Sequence, residues 1–196
     1  MTQSSTVDAV VLQALKQRRS VARLKADLPP RELIDQVLQA AVYAPNHHKT
    51  NPWRFYVLSG NGRERFGDIM AEDARKTAVG DDQAIEAAVA KARGKSVRAP
   101  VIIVSACVPS DGPKVLEIEE ICAVAAATEN MLIAAEALGL GAIWRTGAPA
   151  QSPAVRSFFG LPESAHIVGF VYLGYPDMPE LPDRHREWAP YATWLD

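Results

Sequence analysis

Apolar residues first recur with helical spacing. Val7, Val10, Val11, Ala14 and Leu15 fall at i, i+3, i+4, i+7 and i+8, one face of an α-helix. Ser5 and Asp8 can close a capping box at its start. The helix runs into Arg18-Arg19-Ser20. Past LKADLPP, Pro30 stands at the start of a second helix with the face Leu33, Val37, Ala41 and Ala44, and Pro45 stops it. The next stretch, APNHHKTNPW, is too polar for core and reads as a loop. The period then changes to two. Trp53, Phe55 and Val57 alternate with Arg54, Tyr56 and Leu58, a strand closed by the turn SGNG.

Helical spacing returns at Phe66, Ile69, Met70 and Ala74, and again at Ile85, Ala88, Val89 and Ala92. Val101 to Cys107 is a continuous apolar run with β-branched residues, which predicts a strand buried on both faces. The longest helix spans about Val115 to Leu138, with Gly139 as its stop. AIWRTG reads as a short strand or extended loop. Ser152-Pro153 opens a short helix that Gly160 closes, and HIVGFVYLGYP is a second buried strand. Strands at 53–59, 101–107, 142–146 and 167–174, separated by helices, predict a mixed α+β layer architecture. Beyond Pro176 the chain is polar and rich in proline. Trp188, Tyr191 and Trp194 are costly to leave in water, so this tail (176–196) is expected to pack, a second subunit being one candidate.

Composition narrows the class. A length of 196 residues suits one domain with a sizeable core, and no repeat or linker divides residues 1–196. With 48% apolar and 22% charged residues the chain is neither disordered nor fibrous. Lys plus Arg is 21 against 23 Asp plus Glu, a net charge of −2, which argues against a nucleic-acid partner. Cys107 and Cys122 both sit among apolar neighbours and are expected to be buried free thiols. The first residues show no secretory pattern. The apolar region Ile121 to Gly141 is interrupted by Glu129, Asn130 and Glu136, so no membrane span is expected and a cytoplasmic location is.

Familiar catalytic motifs fail on inspection. Gly94-Lys95-Ser96 ends like a phosphate-binding loop, but the first glycine is replaced by Val89 and the run closes a helix. GLGLGA around Gly139 and Gly141 has Trp144 at the third glycine position and follows a helix rather than a strand. GxSxG is absent. His47 and His48 are adjacent on a loop and are not expected to share a metal. Glu117, Glu119 and Glu120 read as the solvated, dipole-favoured start of the long helix. With no side-chain chemistry visible, a reaction would depend on a cofactor.

Two clusters remain. Arg18-Arg19-Ser20 could grip a phosphate, since guanidinium groups pair with it bidentately. Basic residues are equally at home at the negative end of a helix dipole, and most such pairs need no further reason. The second cluster is the donor-rich loop Ala44 to Trp53, a ligand site or a well-capped connection.

The order of these pieces resembles the nitroreductase family of FMN-dependent oxidoreductases. RRS follows an amphipathic first helix, then AP, a polar loop and PW lead into a strand. Later come GLGLGAIWRTGA, SPAVRSFFGLPE and HIVGFVYLGYP. The likeness runs from about Val10 to Pro176, and APNHHK…NPW with IWRTGA is most similar to the short, single-domain bacterial branch called YdjA-like. It implies an α+β homodimer with a central, mostly antiparallel sheet flanked by helices and two FMN sites at the subunit interface. By position, Arg18, Arg19 and Ser20 are expected at the FMN phosphate and ribityl chain. His47 is expected to approach the flavin from the partner. Trp144, Arg145 and Thr146 are expected to add contacts, with Arg145 as the second phosphate cation. Where many members carry a basic residue near the flavin pyrimidine, this chain has Ala22 with Arg23 beside it, so a lower midpoint potential is expected unless Arg23 reaches. Tyr43 and His48 also depart from the branch pattern.

The resemblance implies hydride transfer from NAD(P)H through flavin N5 to a flat, electron-poor acceptor such as a nitroaromatic or quinone, by a ping-pong course. No catalytic side chain and no metal are expected. A non-catalytic FMN-binding or storage protein would share every motif. A flavin-free protein would leave Arg18-Arg19 as surface charge and the NHHK loop as a protein contact.

Overall fold

Four strands and seven helices make up the computed structural model, which describes residues 4–179, 182 and 186–195 and, in the first helix, side chains from Val10 onward. The strands are β1 (Trp53–Leu58), β2 (Val101–Cys107), β3 (Gly141–Arg145) and β4 (His166–Gly174), in the order β1-β2-β4-β3 with every pairing antiparallel. This is the α+β layer arrangement that the strand spacing predicts.

Centre and edge follow from composition. All seven residues of β2 are buried, as their unbroken apolar run requires. Its one polar side chain, Ser105, is satisfied by the Thr128 hydroxyl at 3.0 Å, which also donates to the Val124 carbonyl at 2.8 Å. The alternating β1 takes an edge and is only half buried.

Strand alternation sorts the core into two layers. On one face Ile102, Val104, Phe170 and Tyr172 pack beneath α3 (Asn61–Thr77), α4 (Asp82–Arg93) and α7 (Pro153–Phe158). On the other, Val101, Ile103, Val171 and Leu173 meet α2 (Arg31–Ala41) and α5 (Glu117–Ala137). Each fully buried aliphatic side chain there contributes about 1.5–3 kcal/mol. The inward stripe of α5 is Glu120, Ala123, Val124, Ala127, Thr128 and Met131, a helical repeat rich in small residues that lets the helix lie close to the sheet. Asn130 donates to the Ala40 carbonyl at 3.2 Å and ties α2 to α5.

One expectation is corrected. Cys107 is buried, but Cys122 is exposed because it falls outside the inward stripe of α5. The apolar face of α1 (Ser4–Gln17) is left open by the described residues: Val10, Val11 and Leu15 are exposed, and the helix rests on α5 alone among the larger packing contacts. Ser5, Val7 and Asp8 lie outside the residues whose side chains are described. Trp188, Tyr191 and Trp194 do not pack on the described part of their own chain, where they are 65%, 89% and 77% exposed. A short helix, α6 (Ala148–Gln151), precedes α7 where the sequence predicts only a connection. No described helix is long and apolar enough to cross a membrane.

Burial, then the charges of Glu120 and Glu117, push the Cys107 thiol up to about 12, with Arg54 opposing. In a Cys122→Ser background, Cys107 should therefore resist alkylation near about pH 8 until the chain is unfolded, as mass spectrometry would show. The thiolate is disfavoured only in the folded chain, so this group's contribution to stability falls as pH climbs from 9.0 toward about 12.

Candidate functional site

The segment after α1 is docked on the outer edge of β3. Ser20 pairs with Ala142 in a parallel bridge, and the Val21 N–H donates to the Ala142 carbonyl at 3.0 Å. Gly141 permits this approach, since a Cβ there would meet Val21 and Leu24 atoms at 2.9 Å. Arg18 to Ser20 are thereby fixed beside the strand that continues into Trp144, Arg145 and Thr146.

The three residues of the basic cluster behave differently. Arg18 pairs through Nε with Glu129 of α5 at 3.2 Å and is largely withdrawn from solvent. Arg19 folds back on the end of α1, donating to the Lys16, Gln17 and Arg18 carbonyls, and it also reaches the Pro182 carbonyl at 3.3 Å. It is thus a helix C-terminal cation, satisfying acceptors that the helix leaves open. The Ser20 side chain stays exposed.

Consecutive residues of β3 point to opposite faces. Trp144 shares a face with Ala142 and α5, and its indole N–H donates to the Val168 carbonyl at 3.2 Å. The indole lies where any side chain at residue 169 would sit, so Gly169 is required there. Arg145 points the other way, with its guanidinium carbon 5.8 Å from the centre of the Tyr172 ring. Within one chain, therefore, Arg145 and Arg18 lie with different layers, Arg18 beside α5 and Arg145 on the opposite face of the sheet. Thr146 is exposed at the end of the strand.

The polar loop is held by a residue the sequence reading misplaced. Glu120, expected to be solvated, is 1% exposed. Its Oε1 accepts from the Thr50 hydroxyl at 2.6 Å and the Asn46 amide at 3.3 Å, and Oε2 accepts from the Ser110 N–H at 3.4 Å. Asn46 in turn accepts from the Asn51 N–H at 2.8 Å. This network supports three non-glycine residues with left-handed backbone, His48 (φ 60), Lys49 (φ 55) and Asn51 (φ 52). The signal was available only in part: a carboxylate at i+3 before an apolar helical stripe can belong to the stripe.

His47 projects from this loop, and its Nδ1 lies 2.9 Å from Oε2 of Glu119. The positive φ of His48 turns its ring back over His47, with centroids 3.9 Å apart. One ligand atom from each of His47, His48 and Glu119 lies within 4.8 Å of the others.

Comparisons with known proteins bear on this arrangement. The profile of the Nitroreductase family matches residues 15–175. A protein of Escherichia coli strain K12 with the provisional name NAD(P)H nitroreductase YdjA is 41% identical over 167 residues, 85% of this chain and 88% of its own. A nitroreductase-like family protein from Bacillus cereus superposes with a TM-score of 0.81 at 22% identity, over 95% of this chain and 96% of its own. A provisionally named nitroreductase from Desulfovibrio desulfuricans, solved in complex with FMN, gives a TM-score of 0.72 at 26% identity, again over 95% and 96%.

Replacing Glu120 by Ala strands the Thr50, Asn46 and Ser110 donors. It should lower unfolding free energy by about 1–3 kcal/mol in urea titrations and expose the 46–51 loop to proteolysis. Glu120→Gln, which keeps an acceptor for Thr50, should cost less.

Proposed function

Because the chain belongs to the nitroreductase family, we propose that it is a homodimeric, FMN-dependent oxidoreductase that uses NAD(P)H to reduce a small, flat, electron-poor acceptor. The observation that carries this reading is the docking of Arg18–Ser20 against β3, which gathers a cation, a hydroxyl and the end of a strand at one edge of the sheet. That donor set fits a phosphate-bearing group, since Arg18 is part-buried and keeps a fixed position through Glu129.

When bound, FMN would supply the hydride chemistry between nicotinamide and acceptor. The protein's part is binding and orientation. Arg18 offsets the phosphate charge, Ser20 offers its hydroxyl, and Arg19 fixes the end of α1 from which both project. Trp144, Arg145 and Thr146 would hold the flavin from the end of β3. His47, held by Glu119, serves the site of the partner subunit. Its exposure on its own subunit agrees with that assignment.

Apolar surface supports the dimer. Val10, Val11 and Leu15 of α1, Ile118 of α5 and the tail aromatics Trp188, Tyr191 and Trp194 are all exposed on a single chain. Isolated soluble chains rarely leave so much large apolar surface uncovered.

Purified protein should be yellow, carry stoichiometric FMN and elute as a dimer. Anaerobic NADH or NADPH should bleach it, and a nitroaromatic or quinone should restore the colour. A chromophore that neither nucleotide bleaches would favour a storage role. Protein that stays colourless after FMN addition would contradict the proposal.

A further inference from the structure

A carboxylate buried among neutral groups is not explained by packing. Glu120 is almost fully buried, and among the described residues no cation pairs with it. Its partners are the Thr50 hydroxyl, the Asn46 amide and the Ser110 N–H. Withdrawing a charge from water is expensive, and an apolar side chain of similar volume would suit the inward stripe of a core helix better. A cost of this kind points to a use beyond stability.

The charge decides orientations. An ionised carboxylate only accepts hydrogen bonds. Asn46 must then turn its amide nitrogen toward Glu120, which leaves its Oδ1 to accept from the Asn51 N–H at 2.8 Å. The Thr50 hydroxyl points the same way, at the 2.6 Å of a charge-assisted contact. Between these anchors His48, Lys49 and Asn51 keep left-handed backbone, which persists in such residues only where the surroundings fix it. A neutral amide at residue 120 could present either end, so Asn46 could turn over and release the Asn51 N–H. The same turn of α5 grips the loop from outside through Glu119 and Nδ1 of His47. Glu129, which holds Arg18, lies roughly 13 Å further along this helix.

We propose that Glu120 is a positioning residue for the flavin site of the neighbouring subunit. It touches neither flavin nor acceptor. It acts through Asn46 and Thr50, which set the direction in which His47 leaves the 46–51 loop. The inference rests on the assignment of His47 to the partner's site under the proposed function. On that reading one helix serves two sites: Glu129 steadies the cation of its own subunit's site, and Glu120 steadies the arm that reaches the other.

Titration of flavin-free dimers with FMN, followed by flavin fluorescence, tests this. Glu120→Gln homodimers should hold FMN about tenfold more weakly than the parent. Thr50→Val, which removes a donor and keeps the charge, should act in the same direction. Circular dichroism checks that both variants are folded. Mixed dimers of differently tagged chains then separate the two subunits. With Glu120→Gln and Arg18→Ala on one chain, both sites should be weakened. With the two changes on different chains, one site should keep parent affinity, because it draws its cation and its loop from unaltered segments. General loosening of a chain would damage that chain's own site and could not give this pattern. The reverse pattern, or the same number of parent-like sites in both arrangements, would overturn the proposal. Glu120→Gln homodimers equal to a parent that binds FMN would overturn it alone, whereas a parent dimer that binds no FMN would overturn the flavin reading with it.

Discussion

The hydrogen bond from Val21 to Ala142, with the single bridge at Ser20, holds the segment after α1 against β3. This contact is local in space but spans more than half the chain in sequence. It needs a bare backbone at Gly141, because a Cβ there would displace Val21 and Leu24. It also sets the register by which the side chains of residues 18–20 meet the strand end. Without it Arg18 would sit on a free helix terminus, screened by water and worth little. With it, Arg18 is packed between α1 and α5, where a charge interaction is stronger.

The sheet partitions the chemistry. Trp144 and Arg145 are adjacent in the chain, yet the first joins the α5 layer and the second the layer of α3 and α4. Arg18 and Arg145 therefore stand on opposite faces of the sheet. Local arrangement of groups, rather than overall charge, governs what a small anion meets.

Much of this was legible in the sequence, for identifiable reasons. The runs Val101–Cys107 and His166–Gly174 are buried on both faces, so hydrophobicity alone marks them. Helix α5 announces itself by length and by its Gly139 stop. The ordered set RRS, APNHHK…NPW and IWRTGA pointed to the family to which the chain belongs. What stayed hidden depends on direction rather than type. Nothing in a five-residue strand says which face Arg145 takes. Glu120 looks like its neighbours Glu117 and Glu119 until the 46–51 loop folds over it. The apolar face of α1 reads as core, and a periodic pattern cannot say whether the surface that covers it belongs to the same chain.

The central claim is that Arg18 grips a phosphate at the docked edge of β3. Comparing the affinities of the flavin-free protein for FMN and for riboflavin, which lacks only the phosphate, isolates that grip when repeated on Arg18→Ala. The account predicts a strong preference for FMN in the parent chain that shrinks by about 2–5 kcal/mol in the variant, with riboflavin affinity little changed. Equal binding of the two flavins by the parent chain, or a preference that survives loss of Arg18, would contradict it.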